Sequence, residues 1–84
     1  MKVTLKLFAS LADHLPPESR RSHRLALDVE PGTTVLDIVR HHRIPEALCA
    51  IVLVDGVWVG RGERATRVLA DGEVLAIWPP VAGG

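Results

Sequence analysis

The chain has one cysteine, no tyrosine, one phenylalanine and a formal net charge of zero over 84 residues. Each shortage closes off a class of protein. One cysteine excludes an intrachain disulfide framework. Ten basic residues balanced by ten acidic ones offer neither the basic face that nucleic acid requires nor an electrostatic pull toward anionic membranes. No apolar run approaches the roughly 20 residues of a membrane span. Met1-Lys2-Val3-Thr4-Leu5 alternates like a strand and carries neither the h-region nor the cleavage site of a signal peptide. A cytoplasmic location is the expectation. Internal repeats, linkers and low-complexity segments are missing. So are a glycine-rich phosphate loop, a nucleophile with a paired base, and any metal-ligand spacing. His41 and His42 are adjacent, so on a helix they point about 100° apart and cannot share a metal as an i, i+4 pair could. His14 and His23 fall in or beside loops. No metal and no bound cofactor are expected.

What is present is a small α+β pattern. A chain this short makes one domain that buries about 60% of its unfolded surface, and 48% hydrophobic residues suffice for that core. Lys2 to Phe8 alternates, with Val3, Leu5 and Leu7 on one face and Lys2, Thr4, Lys6 and Phe8 on the other. Ala9 to Leu15 has room for one short helical turn. Pro16 to Ser22 is a polar loop closing a hairpin, in which Arg20 and Arg21, with Arg24, form a solvated basic cluster. His23 to Glu30 alternates again, with Leu25, Leu27 and Val29 inward, and Pro31-Gly32 turns the chain. Thr34 has the chemistry of a helix N-cap, with Asp37 at the third helical position. Val35, Leu36, Ile38, Val39 and His42 form a helical stripe. Arg40, His41 and Arg43 fall in the last turn, and Pro45 stops the helix by about Ile44.

The second half reads as strands. Ala50 to Val54 is a dense apolar run ended by Asp55-Gly56, a hairpin signal, with Val57 to Val59 as a short return. Gly60 to Arg67 is a polar loop, Asp71-Gly72 a second turn, and Glu73 to Trp78 the last strand. Cys49 reads as a small buried residue. The order is strand, strand, helix, strand, short strand, strand. It predicts a mixed sheet of four to five strands with one main helix packed across one face, and the first and last strands paired in the middle. Phe8 and Trp78 then fall on the face opposite the helix, an exposed aromatic pair suited to docking a partner.

The last six residues, Pro79-Pro80-Val81-Ala82-Gly83-Gly84, carry the chemistry. Two prolines donate no N–H, so the strand ends at Trp78 and a stiff spacer lifts the tail from the body. Two glycines make the slimmest possible backbone, able to thread a tunnel too narrow for side chains. At the tip stands an α-carboxylate, of ordinary pKa about 3.3–3.7 and so ionised at neutral pH. That carboxylate is read as the reactive group.

The sequence resembles the ThiS/MoaD family of ubiquitin-like β-grasp sulfur carriers, and within it the small subunits of molybdopterin synthase. The resemblance rests on Leu7-Phe8-Ala9 ending the first strand, Thr34-Val35-Leu36 opening the helix, and Leu53-Val54-Asp55-Gly56. It rests most on Asp71-Gly72-Glu73-Val74 leading to Ile77-Trp78-Pro79-Pro80-Val81-Ala82-Gly83-Gly84. Asp55 stands where family members often have Asn, and Trp78 where Phe is more usual. The resemblance implies a β-grasp domain over residues 1–78 and a flexible Gly-Gly tail over 79–84.

It further implies a carrier rather than an enzyme. A ubiquitin-activating-type adenylating enzyme would spend ATP to adenylate Gly84. A sulfurtransferase donor, typically a persulfide, would displace AMP and leave a thiocarboxylate. The large catalytic subunit of molybdopterin synthase, or an equivalent acceptor enzyme, would take the sulfur. Gly83 would serve tail threading; Phe8, Trp78, Pro79, Pro80, Val81 and Ala82 would contact partners. Other sulfur products (thiazole, thiolated tRNA, cysteine), a ubiquitin-like protein modifier, and a non-catalytic interaction module stay open.

Overall fold

The structure, a computed structural model, describes residues 1–80. Five strands form one mixed sheet: β1 (Lys2–Leu7), β2 (Arg24–Asp28), β3 (Ile51–Val54), β4 (Val57–Trp58) and β5 (Val74–Trp78), in the order β2-β1-β5-β3-β4. The central pair β1 and β5 is parallel, and every other pairing is antiparallel. The α+β arrangement expected from the sequence is the one observed, with β1 and β5 side by side in the middle. Among the described residues the single α-helix is α1 (Val35–His41).

Alternation in β1 decides which face is buried. Val3, Leu5 and Leu7 are buried, as are Leu75 and Ile77 of β5 and Val52 and Val54 of β3. Val35, Ile38 and Val39 of α1 close over them, joined by Leu11 and Leu15 from the segment after β1. Fully burying one such side chain stabilises by about 1.5–3 kcal/mol. Ala9–His14, read as one helical turn, is a six-residue 3-10 segment.

Turn chemistry fixes the register. Asp55 (φ 48°) and Gly56 (φ 81°) both take positive φ, the requirement of a type I′ two-residue hairpin whose twist suits flanking strands. Val54 therefore pairs with Val57. Asp55 also ties the hairpin to the neighbouring strand. Its N–H donates to the Val74 carbonyl at 2.9 Å, and its Oδ1 accepts the Val74 N–H at 2.7 Å.

The helix starts where the sequence puts it and stops sooner. Thr34 Oγ1 accepts the Asp37 N–H at 3.1 Å, and Asp37 Oδ2 accepts the Thr34 N–H at 2.9 Å, a complete capping box. Arg43 lies outside the last turn, contrary to expectation. The helix ends at His41, and Arg43 has φ 56°. The Ile44 N–H reaches back to the Val39 carbonyl at 3.0 Å and the Arg43 N–H to Arg40 at 3.0 Å. These two bonds are the Schellman pattern, here closed by arginine instead of glycine. Ile44 and Val39 are both buried, the apolar pair that accompanies that motif.

Candidate functional site

With α1 on one face, the other face of the sheet has no described helix over it. Register places the side chains there. Lys6 is opposite Arg24 on one side and Ala76 on the other; Leu53 is opposite both Ala76 and Trp58; Ile51 is opposite Trp78. An apolar band thus runs from Trp78 through Ile51, Ala76 and Leu53 to Trp58. Trp58 is 54% exposed and Ile51 39%. Lys6 and Arg24, like charges directly opposite on this face, have no ion pair among the described residues.

Phe8 and Trp78 stand at the end of the sheet from which the C-terminal segment departs. Their rings stack, centroids 4.4 Å apart and planes 7° apart, and His23 stacks on the outer side of Phe8 at 5.4 Å. The expected exposed pair is a half-buried column of three rings, because each ring covers its neighbour. The backbone builds it. The Phe8 N–H donates to the Ile77 carbonyl at 3.2 Å, continuing the β1–β5 pairing one residue beyond Leu7. His23 sits at φ 62°, accepts the Leu7 N–H on its carbonyl at 3.0 Å, and places Nδ1 3.1 Å from the Leu7 carbonyl. A carbonyl accepts only, so Nδ1 carries the proton in this contact. Arg20 braces the same loop through the carbonyls of Leu15 (3.0 Å) and Asp13 (3.2 Å).

Pro79 is half-buried and Pro80 exposed, beyond the last residue of β5. Val81, Ala82, Gly83 and Gly84, the residues expected to carry the reaction, lie outside the described residues. A model of the ThiS family matches residues 5–84. The chain belongs to the ThiS family.

Solved structures agree in fold. Small archaeal modifier protein 1 from Haloferax volcanii is similar at 29% identity and TM-score 0.65, with all of both chains covered. A Pyrococcus furiosus protein assigned as molybdopterin converting factor, subunit 1, is 20% identical at TM-score 0.64, covering 96% of this chain and 99% of that one. A complex of subunits 1 and 2 of molybdopterin-converting factor from Helicobacter pylori contains a chain 16% identical at TM-score 0.59, each chain fully covered. No curated protein matches by sequence. The fold is the ubiquitin-like β-grasp, and the chain is a ThiS/MoaD-type ubiquitin-like sulfur carrier or modifier.

In this ThiS-family member the structure places Phe8 and Trp78 together, and beside them it brings Ile51, Leu53, Trp58 and His23, which the sequence analysis did not single out for this face. The signal was available for Ile51 and Leu53. Ile51–Val54 is apolar at every position, so in a sheet covered on one side, half of it must face outward. The Gly60 to Arg67 loop, polar in sequence, nonetheless holds a buried side chain: Arg64 is only 5% exposed. Its Nη1 donates to the Cys49 carbonyl at 2.6 Å and its Nε approaches Val59 at 3.5 Å. The Arg64 and Arg67 carbonyls accept the Leu36 and Val35 N–H groups at 2.9 and 3.0 Å, so this loop caps α1 together with Thr34. Cys49 is buried as expected, and burial pushes its thiol pKa up. Among the described residues no cluster of three or more His, Cys, Asp or Glu could hold a metal, and no helix is long and apolar enough to cross a membrane.

Proposed function

We propose that this chain is a cytoplasmic sulfur carrier for molybdopterin synthesis. The observation that carries the reading is the family match running through Gly84, at the end of Pro79-Pro80-Val81-Ala82-Gly83-Gly84. A carboxylate resists nucleophiles because its charge is delocalised and oxide cannot leave. A ubiquitin-activating-type enzyme would join the Gly84 carboxylate to AMP, releasing pyrophosphate from ATP. A sulfur nucleophile then attacks the acyl carbon, the bond to AMP breaks, and AMP carries away the electron pair. With a persulfide as donor, a thiol cleaves the resulting S–S bond and frees the thiocarboxylate. The carrier binds no cofactor and catalyses no step. It brings the reacting atom into partners that supply activation and positioning. The Pyrococcus and Helicobacter likenesses support molybdopterin as the product and a large synthase subunit as acceptor.

A second reading has its own support. The Haloferax relative is named a modifier, and activation of the tail is common to carriers and modifiers. Intact mass spectrometry separates them, after incubation with the activating enzyme of the same organism, ATP and a sulfur donor. A carrier gains the mass of one oxygen exchanged for sulfur, and the gain vanishes when Gly84 is deleted. Isopeptide conjugates on other proteins, with no sulfur gain, would assign the modifier role. Gly83→Trp is expected to abolish sulfur loading while leaving the fold intact by circular dichroism. Loading of that variant at the normal rate would overturn the threading role of Gly83.

A further inference from the structure

Arg64 does more than tie backbone segments together. The residue is almost wholly removed from solvent, yet among the described residues no carboxylate pairs with it. Its third nitrogen, Nη2, is buried and has no hydrogen-bond partner among the described residues. Removing a cation from water costs several kcal/mol unless an opposite charge and full hydrogen bonding offset it. The nearby charges make the deficit larger. Arg61 is a second cation beside the first, and Glu46 is engaged by Arg40 at 3.4 Å.

Arg64 forms part of the wall of a cavity of about 100 Å³, with Arg61, Glu46, Cys49, Leu36, Val39 and Ala65. An apolar cavity of about 150 Å³ takes benzene, so this one suits a smaller group. Two guanidinium groups on one small cavity are the donors that planar, bidentate recognition of carboxylate and phosphate uses. We propose that this cavity binds a small oxyanion or carboxylate, hydrogen-bonded by exposed Arg61 and attracted by the uncompensated charge of buried Arg64. The N-terminus of α1 is not the donor, since Thr34, Arg64 and Arg67 already satisfy its N–H groups. A bound anion would complete the charge balance of the Gly60–Arg67 loop, which caps that helix.

Amide chemical-shift titration of the full chain, with inorganic phosphate and with acetate, tests the site. Sodium chloride of equal ionic strength is the reference. Saturable shifts centred on Leu36, Cys49 and Ala65, weakened roughly tenfold or more by Arg61→Gln, are the expected result for loss of one charged hydrogen-bonding group. Arg61 is exposed, so that variant keeps the fold even where Arg64→Met does not. Tighter phosphate binding would point to a free oxyanion, and tighter acetate binding to a carboxylate ligand. Shifts that stay linear, that centre on Arg20, Arg21 and Arg24, or that Arg61→Gln leaves unchanged would overturn the proposal.

Discussion

Arg43 holds a left-handed conformation that L residues avoid. The geometry costs a non-glycine residue about 1–2 kcal/mol, and Arg43 accepts it because the Schellman bonds from Arg43 and Ile44 stop α1 there. Arg43→Gly removes that cost, while the freer unfolded chain takes back up to about 1 kcal/mol. A net gain of about 0.5 kcal/mol is expected in urea unfolding, whereas Arg40→Gly, inside the helix, should destabilise by about 1 kcal/mol. Arg64 works the other way. Arg64→Ala leaves the Cys49 and Val59 carbonyls without their donor and opens space beside Leu36, so a loss of about 2–4 kcal/mol is expected. A domain of this size has only about 5–10 kcal/mol in total, so this variant should unfold at markedly lower urea. Neither residue announced itself in the sequence. Charged side chains in polar stretches look alike whether they face water or a carbonyl, and only tertiary contacts separate Arg64 from Arg61.

At the scale of elements, local chemistry was far more readable. Thr34 and Asp37 stand three apart before an apolar stripe, and the capping box forms as that spacing requires. Asp55-Gly56 gave the β3–β4 hairpin because few dipeptides accept two positive φ values in succession. Strand alternation gave the core face of β1, and it missed the outward half of β3, where an unbroken apolar run carries no period. Thr34→Ala should cost about 1 kcal/mol through one lost cap. The cap also titrates. Hydrogen bonds from the Thr34 backbone, then its side chain, hold the Asp37 carboxyl below its ordinary pKa. In β2 and just before β5, Lys2 and the N-terminus lower Asp28, and Arg67 with the Ala70 N–H lowers Glu73. Native carboxyls with depressed pKa values bind fewer protons than unfolded ones. Their contribution is therefore complete above the unfolded range, about 3.9–4.3, and is lost as pH falls through the lower folded values. The urea midpoint should fall modestly between pH 7 and about 5, because burial, and then the neighbouring His41, hold the His42 imidazole below its ordinary pKa, and decline further below that as the carboxyls protonate. In Asp37→Asn the decline below about pH 5 should be shallower, because one of the three shifted carboxyls is gone.

At the scale of the whole molecule, the decisive feature is that one helix covers one face of a five-stranded sheet. A two-layer domain must leave the second face to water or to a partner, and here that face is apolar from Trp78 to Trp58 and cationic at Lys6 and Arg24. The parallel pairing of β1 with β5 sets the ring column of Trp78, Phe8 and His23 beside Pro79, where the chain leaves the sheet toward Gly84. A partner that takes the tail into its active site would meet this column. Central aromatic anchors that lose all water on binding commonly contribute 2 kcal/mol or more each, about 30-fold in affinity. Phe8→Ala with Trp78→Ala is thus expected to weaken binding to the activating enzyme at least about 30-fold, read as the carrier concentration giving half-maximal ATP–pyrophosphate exchange. The maximal exchange rate should change little, since the proposed reacting carboxylate belongs to Gly84, six positions beyond Trp78 in sequence. The cations act on encounter. Lys6→Gln with Arg24→Gln should flatten the dependence of association rate on ionic strength, because charges on the rim of an interface steer approach more than they hold the complex. Unchanged half-maximal concentration in the aromatic pair, with the fold intact, would move the docking surface off this face and leave the tail as the sole point of recognition.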